Sequence, residues 1–392
     1  MSEKIAIYNL NTYPEMSGGS ERSCIELAKA LSVKNKDVTV VSLNAFREGF
    51  NKFNFDGVEI YKLPLLNLYW PTTKKKRSFF VKALWNVIDI ANIPMALLLC
   101  FWLKKRKFDV VHTNNIKGVS PWIFPMLKLF GFKIVHTTRD YYLLDSGAWY
   151  RDLSSEHNTL LLKLKRINKY WCSNFVDYAV FNSKYMRDYH AECGFFKYSQ
   201  KKVIYNGFNS ATYTNNEKEK KPIRNFGYIG RLSKEKGIDG LFDGFIKFKN
   251  NEYKLIIAGA SYEDFLSLYP EYEKTLKERY DIDFIGVVDN IEFYKKVDCV
   301  IVPSKYNEPF GRVAMEAIFM GKAVIVSDKG GLPEQILPGV RGAICKDDDY
   351  YNAMKKIIEE DEQLLSHSTP NLKQFTMEFC AEEYFSIYRE KN

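Results

Sequence analysis

The chain has 392 residues, 46% of them apolar and 27% charged, a composition that excludes collagen, coiled coil and wholesale disorder and predicts two or three domains at about 100–200 residues each. The seven cysteines, Cys24, Cys100, Cys172, Cys193, Cys299, Cys345 and Cys380, are odd in number and form no Cys-x-x-Cys pair, which speaks against a disulfide framework or a zinc site and for a reducing cytoplasm. The net charge of +9 is uneven: residues 1–200 hold 29 Lys and Arg against 17 Asp and Glu, and residues 201–392 hold 28 against 31. A basic first half predicts an anionic partner there.

In chain order, the N-terminus carries no secretory pattern and runs straight into an apolar strand at Ile5–Leu10. Further first-half strands are expected at Val38–Leu43, Val58–Leu63, Asp109–Thr113, Lys133–Thr137, Tyr178–Asn182 and Val203–Tyr205, with helical periodicity over Glu21–Ser32, Phe79–Leu103 and Leu160–Trp171. The polar run Asn215–Lys221 reads as an interdomain linker. Beyond it come strands at Phe226–Gly230, Lys254–Ala258, Asp283–Ile285, Cys299–Pro303 and Ala323–Ser327, and helices over Leu241–Phe248, Val313–Met320 and Tyr350–Glu360. Continuous rather than alternating apolar runs mark strands buried on both faces, hence parallel sheets covered by helices. The expected fold is α/β in two domains, 1–210 and 222–375, with a C-terminal helix at about 376–392 packing back on the first. Ligands of such sheets bind beyond the carboxyl ends of the strands, so the expected site is the cleft between the domains.

Four stretches at strand ends carry chemistry. Ser17-Gly18-Gly19-Ser20-Glu21-Arg22 lies between the first strand and first helix, where glycines admit a ligand and the helix N-terminus offers amides to an anion; a simple turn is an equal reading. Gly230-Arg231-Leu232-Ser233-Lys234-Glu235-Lys236-Gly237 sets two spaced cations, Arg231 and Lys236, at a helix entrance, suiting a diphosphate or an exposed basic turn. In Asn307-Glu308-Pro309-Phe310-Gly311-Arg312 and the helix after it, Pro309 keeps Glu308 in a loop, while Glu316 falls inside the helix. Two carboxylates at one strand end suit a vicinal diol, and the amides around Gly311 suit an anion. Asp328-Lys329-Gly330-Gly331-Leu332-Pro333-Glu334 makes another glycine turn after the next strand.

With these motifs the chain resembles family 4 of the retaining glycosyltransferases, of GT-B architecture with two Rossmann-like domains. The match rests on Gly230–Gly237, the spacing of Glu308 and Glu316 within Glu308-Pro-Phe-Gly-Arg, Gly330-Gly-Leu-Pro-Glu334, Asn206-Gly207 and Ser17-Gly-Gly19. The resemblance implies that Arg231 and Lys236 bind the diphosphate of a nucleotide-sugar donor and that Glu316 binds its ribose. Glu308, with the amides of Phe310 and Gly311, holds the donor sugar, and Gly18 and Gly19 close over the donor from the opposite domain. It also implies that no metal or other cofactor is needed, two cations standing in for one beside the departing diphosphate. In one place the chain departs from the pattern. Where such enzymes often carry Thr-x-His, it reads Thr137-Thr138-Arg139-Asp140. Arginine does not shuttle protons near neutral pH, so Arg139 is expected to stabilise charge or to orient the acceptor. His112 and His136 lie in apolar strands and read as structural or acceptor-side.

The stretch Lys62–Lys107 holds ten Lys and Arg against the single acid Asp89. It includes Lys74-Lys-Lys-Arg77, Phe79, Phe80 and Trp85, then an apolar run too short to span a bilayer, which takes about 20 residues. The entry Lys74–Trp85 is expected to touch an anionic membrane surface from the cytoplasmic side, peripherally. No nucleic-acid motif accompanies the charge. The expected activity is sugar transfer to a glycan or lipid-linked acceptor in bacterial polysaccharide or lipopolysaccharide synthesis. The rivals are a nucleotide-sugar epimerase or sugar phosphorylase of the same fold, and a non-catalytic membrane-bound binding subunit.

Overall fold

The computed structural model describes residues 3–15, 18–34, 37–72, 77–144, 160–213, 222–249, 251–364 and 370–390. The expected linker Asn215–Lys221 lies outside the described residues, as do Ser17 and Lys74–Lys76. The chain divides into two compact units, one of Met1–Gly207 with Gln374–Asn392, the other of Phe208–Lys373.

The first unit runs β1 (Ile5–Tyr8), α1 (Gly19–Lys34), β2 (Val38–Asn44), β3 (Asn51–Phe55), β4 (Val58–Pro64), α2 (Phe79–Ile90), α3 (Ile93–Lys105), β5 (Val110–Thr113), α4 (Ile123–Leu129), β6 (Lys133–Thr138), α5 (Leu160–Ser173), β7 (Tyr178–Phe181), α6 (Lys184–Glu192) and β8 (Gln200–Val203). Its sheet has the order β3-β4-β2-β1-β5-β6-β7-β8 and is parallel except for the antiparallel edge pair β3 and β4. Alternate residues of the inner strands feed two layers. Ala6, Tyr8, Val41 and Leu43 pack with Met95, Leu99 and Leu103 of α3, while Ile5, Ile7, Val38 and Val40 pack with Ile25, Ala28 and Leu31 of α1. That two-sided burial is what makes each strand read as an unbroken apolar run.

One expected helix over Phe79–Leu103 is two, bent by 49° between α2 and α3. Asn92 is the cause. Its Oδ1 accepts from the Met95 amide at 3.3 Å, capping α3, and its Nδ2 donates to the carbonyls of Leu66 and Gly118 at 2.8 and 3.0 Å. Pro94 then fits the first turn of α3, where no amide donor is needed. Asp89, the lone acid of the basic stretch, is a buried acceptor for the Gly118 amide at 2.6 Å and the Tyr142 hydroxyl at 2.7 Å, and burial raises its pKa. No single helix among the described residues is long and apolar enough to cross a membrane; the apolar character of α3 is taken up by Met95, Ala96, Leu99, Cys100 and Leu103 in the core.

The second unit runs β9 (Asn225–Ile229), α7 (Ile238–Phe245), β10 (Lys254–Ala258), α8 (Tyr262–Leu268), α9 (Glu273–Glu278), β11 (Ile282–Gly286), α10 (Asn290–Lys296), β12 (Cys299–Val302), α11 (Arg312–Phe319), β13 (Ala323–Ser327), β14 (Gly342–Cys345) and α12 (Tyr350–Leu364). Its strands lie in the order β11-β10-β9-β12-β13-β14, the doubly wound order that reverses between β9 and β12. The first unit reverses likewise between β1 and β5. The chain ends in α13 (Met377–Arg389), which packs on α1 within the first unit.

Candidate active site

The reversal of strand order in the second unit parts the helices above β9 and β12, and the expected carboxylate and lysine meet there. Glu308 leaves the loop after β12 and is 7% exposed. Its Oε1 accepts from Lys236 Nζ at 2.6 Å and from the Ser304 hydroxyl at 2.8 Å, and its Oε2 accepts from the Tyr306 hydroxyl at 2.7 Å. Lys236 Nζ also lies 5.0 Å from the centre of the Tyr306 ring. Burial first, then the Glu308 charge, raises the pKa of Tyr306, so this hydroxyl stays a donor. Arg231, at the end of β9, is exposed. Its charge is felt by Tyr228 and Tyr306, and its guanidinium has no carboxylate partner among the described residues. Ser304 and Tyr306 escape a motif reading. The available signal is their position, polar residues set directly after a fully apolar strand.

The turn after β13 is tied to the same cluster. The Gly330 amide donates to Asn307 Oδ1 at 3.0 Å, and the Gly331 amide donates to the Glu308 carbonyl at 2.8 Å. Gly330 sits at φ +63°, and a Cβ there would come within 2.2 Å of the Glu308 carbonyl oxygen, so this close approach requires glycine. Gln335 donates through Nε2 to the carbonyls of Phe310 and, at 3.1 Å, of Gly311. This fixes the loop that enters α11, whose first-turn amides have no partner within the helix. Glu316 lies inside α11 at 2% exposure. It accepts from Asn290 at 2.9 Å, Tyr294 at 3.0 Å and Arg312 at 3.3 Å. Glu308 and Glu316 therefore have separate partner sets, and with about four acceptor positions on a carboxylate Glu316 keeps one.

In the first unit Arg139 follows β6 and is half-buried. It donates through Nε to Asn114 Oδ1 at 2.8 Å and through Nη1 to Asn206 Oδ1. Asn206 is the first residue of the expected Asn206-Gly207 motif, and Gly207 is small for a reason. A Cβ on it would lie 2.9 Å from Met377 and Cys380 of α13. Arg139 is thus fixed by two neutral amides and has no carboxylate partner among the described residues. Gly18 and Gly19 are exposed at the start of α1, with the Glu21 side chain folded back to 2.6 Å from where a Gly18 Cβ would stand. Burial holds the pKa of Glu21 above the usual carboxylate range. His112 bonds Tyr388 and Thr137, both at 2.7 Å, and His136 bonds Thr113 at 2.8 Å. Burial pushes the His136 pKa down to about 3 and that of His112 well below its ordinary value, so both are neutral core residues.

The membrane-facing reading of Lys74–Trp85 needs a correction. Trp85 is 2% exposed and donates from Nε1 to the Tyr69 carbonyl at 2.8 Å; it anchors α2 in the core. Phe79 and Phe80, at 79% and 82% exposure, are the outward aromatics.

Residues 17–212 match the family model described as Glycosyltransferase Family 4, and residues 211–370 match that described as Glycosyl transferases group 1. An uncharacterised 42.6 kDa protein in the cps region of Klebsiella pneumoniae is 33% identical over 395 residues, 98% of this chain and 99% of that protein. The lipopolysaccharide 1,2-N-acetylglucosaminetransferase of Salmonella typhimurium is 33% identical over 158 residues, 36% of this chain and 42% of that protein. Anabaena HepE, solved in complex with UDP, has a TM-score of 0.71 at 18% identity, covering 98% of this chain and 99% of that one. The first model spans Gly18, Arg139 and Asn206, and the second spans the whole Glu308 cluster; with a full-length relative at 33% identity, the chain belongs to glycosyltransferase family 4 and is a glycosyltransferase of GT-B architecture.

Proposed function

We propose that this glycosyltransferase moves a sugar from a nucleoside diphosphate donor to a hydroxyl of a glycan or lipid-linked acceptor, with retention of anomeric configuration and without a metal ion. The observation that carries the reading is the Lys236–Glu308 pair at 2.6 Å, ringed by Ser304 and Tyr306 at the strand-order reversal of the second unit. Arg231 and Lys236 take the donor diphosphate, Arg231 as a fork and Lys236 as a point charge. Glu308, held by three donors, accepts from a sugar hydroxyl at its remaining acceptor position, supported by the amides around Phe310 and Gly311. Glu316 uses its remaining acceptor position for the ribose.

In the transfer, the acceptor oxygen bonds the anomeric carbon as the bond from that carbon to the diphosphate oxygen breaks on the same face. The acceptor proton passes to the departing diphosphate oxygen, so the step balances without a dedicated base. Arg231 and Lys236 stabilise the charge that grows on that leaving group. Arg139 supplies a fixed positive charge toward acceptor or phosphate and moves no proton, and Gly18 and Gly19 contribute backbone amides. Support for the donor class comes from HepE, whose solved complex holds UDP. Support for the glycan class comes from the Salmonella lipopolysaccharide transferase and from the cps-region relative. Attachment to the cytoplasmic membrane surface, supported by exposed Phe79 and Phe80 beside a basic stretch, would bring a lipid-linked acceptor within reach. The test is turnover of a panel of UDP-, GDP-, ADP- and TDP-sugars with lipid-linked glycan acceptors in excess EDTA. Transfer from one donor with the product in the donor's anomeric form supports the reading. Transfer that requires added magnesium or manganese, or inverts the anomer, contradicts it.

A further inference from the structure

A pocket lies within the first unit, away from the ends of its strands β1, β5 and β6. It has a volume of about 420 Å³ and is lined by Phe50, Tyr61, Phe101, Trp102, Lys105 and Arg106, among others. Its inner wall already has its ring faces covered. The Arg106 guanidinium lies 4.0 Å from the Trp102 ring centre and 5.2 Å from that of Tyr61. Phe108 stacks on Trp102 at 6.0 Å, and Lys52, paired with Glu59, lies 5.2 Å from Tyr61. Trp102 and Tyr61 therefore offer no free ring face to the C–H face of a sugar, and the rings that stay outward are Phe50 and Phe101. What the pocket presents is charge: neither Lys105 nor Arg106 has a carboxylate partner among the described residues. A guanidinium set over the Trp102 and Tyr61 rings has N–H donors to offer an anion.

The surroundings name the source of that anion. On α3 the residues Pro94, Leu98, Phe101 and Lys105 recur at three- and four-residue spacing along the face opposite the buried Met95, Ala96, Leu99 and Cys100. This outer stripe begins apolar and ends in cations. It continues the exposed Phe79, Phe80, Leu84 and Val87 of α2 in sequence. Phe50 and Phe101, 59% and 61% exposed, stand at the pocket. An apolar ridge ending in unpaired cations is the pattern of a surface lying at a bilayer interface, with chains against the ridge and headgroups against the charges.

We propose that this pocket binds the phosphate headgroup of an anionic membrane lipid, with Lys105 and Arg106 as its cationic grip. The proposal rests on the reading of the first unit as membrane-facing, and its test separates the two. Full-length protein would be co-sedimented with phosphatidylcholine vesicles and with vesicles of phosphatidylcholine and phosphatidylglycerol. One surface charge changes partition about fivefold. The pair Lys105→Ala with Arg106→Ala should therefore lower partition onto the anionic vesicles by about tenfold or more and leave partition onto neutral vesicles unchanged. Arg106→Gln, which keeps a planar group over Trp102, should show about half of that effect on a logarithmic scale and so guards against misfolding. Phe79→Ser with Phe80→Ser should lower partition onto both vesicle types. If the wild type prefers the anionic vesicles and the Lys105 and Arg106 variants keep that preference, the pocket assignment is overturned while membrane attachment stands. If the wild type binds neither vesicle, both fall. Glycerol phosphate in solution, followed by chemical shifts of the Trp102 indole, should bind far more weakly than the vesicles; tight binding would make this a soluble-phosphate site and overturn the lipid assignment.

Discussion

Glu308 works through what holds it. Three donors orient a carboxylate that is almost fully buried, and Lys236 balances its charge. Arg231→Ala and Lys236→Ala should each lower kcat/KM by about a hundredfold to a thousandfold, the cost of losing one preorganised donor to a developing negative charge being about 2.7–4 kcal/mol; initial rates at subsaturating donor check this. Gly330→Ala should be worse for the site than its one added methyl suggests. The left-handed conformation alone costs about 1–2 kcal/mol, and the new Cβ would collide with the Glu308 backbone. Donor affinity should fall with a lowered unfolding midpoint, and an unchanged midpoint would contradict the packing described here. Arg139 is fixed by Asn114 and Asn206, so Arg139→Lys should keep more activity than Arg139→Ala, since a cation survives without its fork. The pH–rate profile should show no limb near the histidine value of about 6.5, because His112 and His136 are buried and neutral. A limb there that vanished in an Arg139 variant would show that proton transfer depends on this position.

At the scale of elements, Asn92 separates α2 from α3. Asn92→Ala removes a cap and leaves the Leu66 and Gly118 carbonyls without this donor, which should cost about 2–4 kcal/mol; urea titration followed by tryptophan fluorescence measures it. The break was half legible. Asn92 and Pro94 interrupt the apolar run in the sequence, but a periodic pattern does not say that an asparagine two residues before a proline will turn its amide to carbonyls far away in the chain. The same limit hid the role of Trp85, which sits in a basic, aromatic stretch like its neighbours Phe79 and Phe80 yet points inward to Tyr69. Inner strands were legible because burial on both faces forces continuous apolar runs. Edge strands were legible only in part: β11 was expected at Asp283–Ile285 and spans Ile282–Gly286, whereas β3 and β14 were not expected. β3 is half exposed and polar, and β8 was expected at Val203–Tyr205 but spans Gln200–Val203. An edge strand with one free side tolerates Gln and Lys, while Ile204 and Tyr205 are buried beyond the end of the ladder. The glycine turns were legible as turns. They were expected to converge on one cleft, but the bonds that tie the Gly330 turn to Asn307 and Glu308 were not legible, because they depend on strand order, which pattern alone leaves open.

At the scale of the whole molecule, the first unit buries histidines that must stay neutral. Burial lowers the His190 pKa to about 4 and the His136 pKa to about 3. The unfolded chain takes up these protons below about pH 6.5, so between about pH 6.5 and 4 it binds more protons than the native state. Stability is therefore full above pH 6.5 and falls as the pH drops, by about 1.4 kcal/mol per pH unit for each such histidine. The buried Asp89, with its raised pKa, acts in the opposite sense, so the clean measure is the difference between wild type and His190→Gln. Urea midpoints from pH 7.5 to 5 should converge as the pH falls, and parallel curves would contradict the assignment. The most direct test of the central claim is calorimetric titration of UDP, GDP, ADP and TDP into the wild type, Arg231→Ala and Lys236→Ala, all in excess EDTA. The account predicts that one of these diphosphates binds the wild type without metal, and that each variant, still folded, binds it at least tenfold more weakly. Binding that appears only with added divalent metal, or that both variants retain at wild-type affinity, would contradict it.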